Sequence, residues 1–295
     1  MVFSVKDKLV LGTAGLGGVW GKVEVKESVE TILDALEQGI SAIDAAPSYG
    51  DAEKIVGEAL SQWTGTRPVL STKVGRLKSH KADEAYYDYS SDGMKSSVES
   101  SLKTLGVTAL DILFLHDPAA IEPEELESVL QQMQAFKKQG YARRLGLGGN
   151  APKWMEPYLQ DSPFDVFMEY NRLNACCLAA LDTTVPFCVK NKKEYYAASP
   201  LNMGLLGCNF SAFTANPPHW LDLNLVEQAK KVNIVAEKYG IPLQVLAHRF
   251  LVTIPHPVKM VIGAANQQQL TDTLLAFKAG SLPTEIYHEI LQALN

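Results

Sequence analysis

The chain has 295 residues, 46% of them apolar, enough for one large core or two ordinary ones, and no Pro/Gly/Ser-rich linker or shift in composition divides it. A net charge of −6 leaves nucleic-acid binding without electrostatic support, and no apolar run is long enough to span a bilayer. With no secretory signal, four cysteines that lack metal-ligand spacing and six histidines without an HxxxH pair, the expectation is one cytoplasmic domain over 1–295, with no metal, membrane or nucleic-acid partner.

A strand is predicted over 9–13, running into GTAGLGG at 12–18. These glycines are wrongly spaced for GxGxxG, so a Rossmann turn is rejected, although glycines leaving a strand let a ligand approach the backbone. Trp20, just beyond, reads either as a plug at one end of the fold or as an aromatic wall of a pocket. Val29, Ile32, Leu33 and Leu36 recur at helical spacing and predict a helix over 27–38, with Gly39 as its cap. The run GISAIDAAPSYG, residues 39–50, is a short apolar strand ending in Asp44, then a Pro/Ser/Gly turn that carries Tyr49.

A short helix over 52–60 precedes a strand over 68–73 that ends in Lys73. Residues 75–92 are polar but hold Tyr86, Tyr87 and Tyr89, and are too long for a plain connection; they read as a lid or binding loop. A helix over 91–105 leads to a strand over 110–116 that ends in His116 and is broken by Asp117-Pro118. An amphipathic helix over 123–139, with Pro in its first turn, is followed by a strand over 144–148 that enters Gly149-Asn150. Further strands are predicted over 164–170, over 194–198 before Ser199-Pro200, and over 260–262. Lys190, Lys192 and Lys193 sit where a helix should end. Residues 202–220 are irregular, helices are predicted over 225–239, 243–251 and 267–277, and a terminal helix over 285–294 is expected to pack across one end.

Eight strand candidates, each followed by a helix, argue a parallel sheet closed into a (β/α)8 TIM barrel. In such barrels the chemistry lies at the C-terminal strand ends. Asp44, Lys73 and His116 fall there, with Tyr49 just beyond, and core packing does not explain one ionisable group at each of three successive strand ends.

Asp44, Tyr49, Lys73 and His116, in this order and context, resemble the catalytic tetrad of the aldo-keto reductases, and the resemblance runs from Leu11 to about Leu275. It implies a barrel enzyme that moves a hydride between a nicotinamide dinucleotide and a carbonyl or sugar carbon. Tyr49 would be the general acid or base. Lys73 would lower the pKa of the phenol, Asp44 would keep the buried lysine charged, and His116 would orient the substrate oxygen. The resemblance further implies cofactor contacts from Thr13, Gly15 and Asp44, from Asn150 after the fifth strand, and from Glu169 and Asn171 near the sixth, where the family's usual Gln is missing. SPLNMGLL, with Ser199, Pro200, Leu201, Gly204 and Leu206, resembles the pyrophosphate loop. IGAANQQQL, with Gly263, Ala264, Ala265 and Gln269, resembles the adenine-end loop at a helix N-terminus. Trp20 would join Tyr49 and His116 against the substrate.

Ala198 stands where many members have a tyrosine under the nicotinamide. Ala264, Ala265 and Asn266 carry no cation for a 2′-phosphate, which favours NAD over NADP. LHDP, LGLGGN, YNR and NMGLL look most like the aldose 1-dehydrogenase group. Three readings follow: a dehydrogenase that oxidises a free sugar at C1 to a lactone, an NADPH-dependent carbonyl reductase, and a nicotinamide-sensing regulatory subunit. The intact tetrad weighs against the last.

Overall fold

A computed structural model describes residues 8–81 and 83–294. Eight parallel strands close into a barrel in sequence order: Leu9–Gly12 (β1), Ala42–Asp44 (β2), Val69–Val74 (β3), Leu110–His116 (β4), Ala142–Gly148 (β5), Val166–Tyr170 (β6), Glu194–Ala198 (β7) and Val258–Gly263 (β8). The helices between them are Val25–Glu37 (α1), Ala52–Gln62 (α2), Ser91–Leu105 (α3), Leu126–Lys138 (α4), Glu156–Leu159 (α5), Thr184–Lys190 (α6), Phe210–Ala215 (α7), Leu223–Lys238 (α8) and Leu243–Thr253 (α9). Gln267–Lys278 (α10) and Thr284–Leu294 (α11) follow β8. The predicted barrel is therefore the observed fold.

Alternation along the strands sorts side chains into two cores. Val10, Ala42, Ile112, Phe114, Val166, Met168, Tyr196 and Val261 fill the barrel interior, whereas Leu11, Ile43, Leu70, Leu113, Leu115, Leu147 and Ile262 pack outward under the helices. Phe114 takes the space beside β5: a Cβ on Gly146 would lie 2.3 Å from its ring, so that position must be glycine.

Two strands begin earlier than their apolar runs suggested. Arg144 opens the predicted β5 and Lys259 precedes the predicted β8, and both meet Glu194 of β7 in an ion network at the N-terminal end of the barrel. A charged residue can lie in a barrel strand when its partners lie on neighbouring strands.

Helix ends follow local chemistry. Ser90 caps α3 by accepting from Gly93 N at 3.1 Å, and Gly106 ends it in the left-handed region at φ 69°. The helical layer departs from expectation at two places. Between β5 and β6 there is only a 3-10 turn and the one-turn α5. The terminal α11 lies antiparallel along α8 rather than across one end, because Glu285 and Glu289 near its start pair with Tyr239 and Lys238 at the far end of α8.

Candidate active site

Asp44 ends β2 and His116 ends β4, while Lys73 lies one residue inside the end of β3. Register fixes their direction. Asp44 is level with Ser71, and Lys73 with the inward-facing Phe114, so all three ionisable side chains point into the barrel mouth. Tyr49 follows on a tight turn, with its N–H donating to Ala46 O at 3.1 Å. Gly17 of the β1–α1 loop braces that turn. A Cβ there would lie 1.9 Å from Tyr49 O, so this glycine serves close chain-to-chain packing rather than ligand approach.

The four side chains meet. Lys73 Nζ donates to Asp44 Oδ2 at 2.5 Å and to Ala45 O at 2.9 Å, and both partners of this ion pair are only 2% exposed. The same ammonium stands 4.5 Å from the centre of the Tyr49 ring, and the Tyr49 and His116 rings meet edge to face at 5.9 Å. Ser71 Oγ donates to Asp44 Oδ1 at 2.7 Å and fixes the carboxylate from its other side.

Electrostatics assign protonation states. Burial pulls Lys73 towards neutrality, but the Asp44 charge and Tyr49 outweigh it, and the lysine stays an ammonium with its pKa raised. Burial lifts Tyr49 above the ordinary phenol value, while Lys73 pulls the other way without prevailing. The expectation that the ammonium alone would bring the phenol down is therefore corrected: desolvation is the larger effect, and Tyr49 is a neutral phenol at physiological pH. Burial, helped by the Lys73 and Arg76 cations, holds His116 well below the usual histidine range. Its Nδ1 is buried without a hydrogen-bond partner, an environment that disfavours the imidazolium and suits a neutral ring.

The remaining sequence-predicted residues lie round the rest of the mouth, along the arc from β5 through β8 to β1. Thr13 is buried and donates its hydroxyl to Asp44 O, which ties β1 to β2. Gly15 abuts the β8 loop, since a Cβ on it would lie 2.9 Å from Ala264 O. Asn150 exchanges hydrogen bonds with the backbone of Tyr170 across the β5–β6 ends. Asn171 sits at φ 56° and leaves a buried Oδ1 without a partner. Ser199, Asn202, Met203 and Gly204 are all left-handed, at φ 60°, 49°, 57° and 92°, and fold the segment from Ser199 through Pro200 and Leu201 to Leu206 into a compact loop beside β8. On the next loop, Gln269 Oε1 accepts from Ala265 N at 3.0 Å and Asn266 Oδ1 caps Gln269 N at 2.9 Å, so Gly263, Ala264 and Ala265 enter a well-formed helix start. Trp20 is 59% exposed and plugs nothing.

Glu169 does not join this arc. Strand parity turns it outward, between Met168 and Tyr170, where it accepts from Thr184 Oγ1 at 2.9 Å and Tyr195 OH at 3.1 Å. It lines a cavity of 280 Å³ with Arg172, Lys153 and Phe167, and burial raises its pKa against those two hydroxyls. The FMEY pattern already carried this parity.

Four residues outside the sequence-predicted site also bear on the mouth, three of them already singled out, Tyr87 and Tyr89 as loop tyrosines and Asp117 as a strand breaker. Arg76 Nη1 donates to Asp117 Oδ2 at 3.0 Å, Tyr87 OH reaches the same oxygen at 3.3 Å, and Tyr89 OH donates to His116 O at 2.7 Å. The described loop residues 75–81 and 83–90 thus close one side of the site, and they are pinned to the Tyr49 turn by Gly50 N donating to Ser79 O at 2.9 Å. The loop's length and tyrosines were the available signal.

A neutral phenol beside a fixed ammonium can give its proton to a developing alkoxide and leave a stabilised phenolate; reversed, it takes a hydroxyl proton. The arc suits a nicotinamide dinucleotide: Asn171 Oδ1 is an unpartnered acceptor for an amide N–H, and the first N–H groups of α10 lack intrahelical partners. Such a group supplies the hydride acceptor or donor that no side chain provides. No group of ligating side chains for a metal is present among the described residues.

Comparison with known proteins agrees with this geometry. The sequence profile of the aldo/keto reductase family matches residues 8–295. The D-threo-aldose 1-dehydrogenase of a Pseudomonas species is 23% identical over 96% of this chain and 92% of its own. The NADH-specific methylglyoxal reductase of Escherichia coli K12 is 30% identical over 68% of this chain and 65% of its own. The solved structure of a glycerol dehydrogenase from Gluconobacter oxydans, 24% identical, aligns over 97% of this chain and 90% of its own with a TM-score of 0.78, a likeness of fold.

Proposed function

The chain belongs to the aldo/keto reductase family and is an oxidoreductase, and from that premise we propose that it oxidises an aldose at C1 to the lactone with NAD as hydride acceptor. The carrying observation is the closed set of contacts among Asp44, Lys73, Tyr49 and His116. Tyr49 takes the C1 hydroxyl proton, Lys73 stabilises the phenolate needed for this, Asp44 keeps Lys73 charged, and His116 holds the reacting oxygen. Likeness to the D-threo-aldose enzyme supports the substrate class.

NAD is favoured because residues 264–269 carry no ionisable side chain and the helix start is partly capped from within. Asn150, Asn171, the Ser199–Leu206 segment, the Gly263–Gln269 segment and the Thr13–Gly15 turn are the cofactor contacts in this reading, with Trp20 at the substrate rim. Four free cysteines fit a reducing, cytoplasmic setting.

A second reading, reduction of small aldehydes or ketones, is favoured by the raised pKa of Tyr49, which suits a proton donor, and by likeness to the methylglyoxal reductase. Steady-state assays with NAD, NADP and their reduced forms, over a panel of aldoses and simple aldehydes, separate the two. Turnover of aldoses with NAD supports the first; aldehyde reduction without aldose oxidation replaces it with the second.

A further inference from the structure

Asp117 follows His116 and precedes a proline, a place where the backbone is ordinarily extended. It sits instead at φ 51°, in the left-handed region. The surroundings hold it there: its N–H donates to Gly148 O at 2.8 Å, and Tyr89 OH donates to its carbonyl at 3.0 Å. A backbone outlier held this firmly beside a tetrad residue invites a functional reason.

The bland explanation is a helix cap, since a 3-10 turn, Pro118–Ala120, begins at the next residue. The Asp117 side chain makes no capping hydrogen bond. Its Oδ2 is held by Arg76 and Tyr87. Its Oδ1 points to the catalytic imidazole but stops 3.9 Å from His116 Nε2, beyond hydrogen-bond distance. The carboxylate is 18% exposed, and the stacked Tyr87 and Tyr89 rings stand beside it at 5.9 Å between centres. One carboxylate is therefore oriented and partly desolvated, with its Oδ1 next to the imidazole and outside hydrogen-bond distance of it.

We propose that Asp117, positioned by Arg76 and Tyr87, accepts a hydrogen bond from a hydroxyl on the carbon next to the reacting one, so that the site selects hydroxyls beside the hemiacetal or carbonyl carbon. The inference rests on the oxidoreductase reading of the same mouth but not on the reaction's direction. A hydrogen bond to a charged acceptor discriminates by about tenfold to a hundredfold when the donor is removed from the substrate. Tyr87 offers ring surface for the apolar face of such a substrate.

The test compares kcat/KM for aldoses and their 2-deoxy analogues in the oxidative direction, and for lactaldehyde and propionaldehyde, which differ only in the hydroxyl next to the carbonyl, in the reductive direction. Wild type, Asp117→Ala and the isosteric Asp117→Asn are assayed, each checked for folding by thermal melting. Wild type is expected to favour the hydroxylated member at least tenfold. Asp117→Ala should bring that ratio close to one, and Asp117→Asn should lower it severalfold, mainly through the KM of the hydroxylated substrate. If Asp117→Ala does not fold, Asp117→Asn alone decides. A wild type indifferent to the adjacent hydroxyl, or variants that keep the wild-type ratio, overturns the proposal. Failure of aldose turnover with intact discrimination between the two aldehydes overturns the aldose reading and leaves this one standing.

Discussion

A lysine buried to 2% exposure stays charged only if its surroundings make it so, and Asp44 does this for Lys73. Removing the ammonium leaves a buried carboxylate alone, so Lys73→Met is expected to cost about 3–5 kcal/mol in stability. It should also abolish most turnover, read by denaturant unfolding and steady-state rates on one preparation. Unchanged unfolding would mean that the pair is not the buried unit described. Tyr49→Phe keeps the ring against His116 and removes the proton. It is expected to lower kcat about 100-fold or more while leaving dinucleotide affinity, followed by fluorescence titration, within error. The sign of the pH dependence follows from the raised phenol. Below its pKa Tyr49 is a ready acid and a scarce base, so carbonyl reduction should persist through neutral pH while aldose oxidation climbs towards the alkaline side. A flat oxidation profile from pH 7 to 10 would contradict that assignment.

Among the elements, the β8–α10 connection carries the cofactor question. Gln269 and Asn266 already occupy donors at the helix start, and Ala265 is partly exposed. Ala265→Arg is expected to shift preference from NAD towards NADP by about 1–3 kcal/mol, the scale of a hydrogen bond to a charged group, measured as the ratio of kcat/KM for the two cofactors. A wild type that already prefers NADP strongly would show that a cation from another segment serves the loop.

Legibility at this scale followed the apolar pattern. Helix α3 has its predicted span, 91–105, and the structure shows it held there by the Ser90 cap and the left-handed Gly106. Strands β5 and β8 were shortened in the reading, since Arg144 and Lys259 look like termini until their partner on β7 is known. The positions of Asp44, Lys73 and His116 could be read because each closes an apolar run. Arg76 and Asp117 could not be paired from sequence: their contact depends on a 75–90 loop conformation and a left-handed backbone that no periodicity reports.

Across the whole molecule, the two ends of the barrel do different work. The tetrad lies at the C-terminal mouth, whereas Arg144, Glu194 and Lys259 close the opposite end with two ion pairs. Their side chains are about a third exposed (33%, 38% and 33%), so solvent screens them and the effect of breaking the network is discounted accordingly. Glu194→Gln is expected to lower stability by about 1–2 kcal/mol and to leave kcat/KM unchanged. A marked loss of activity in a folded Glu194→Gln variant would show that the two ends are coupled.

Barrel closure pairs Leu9 with Met260 and Gly12 with Gly263, joining strands from nearly opposite ends of the described chain. During synthesis on the ribosome, β1 emerges early and has no partner on that side until β8 leaves the exit tunnel. Gly15 and Ala264, which abut across this seam, can then meet only in a nearly finished chain. A nascent polypeptide stalled before β8 already contains Asp44, Tyr49, Lys73 and His116, yet it lacks the Gly263–Gln269 segment of the groove proposed for the dinucleotide. That proposed groove is thus completed late in translation, and the long wait for the β1–β8 contact exposes an unpaired β1 edge to neighbouring chains, the stage at which chaperone help would matter most.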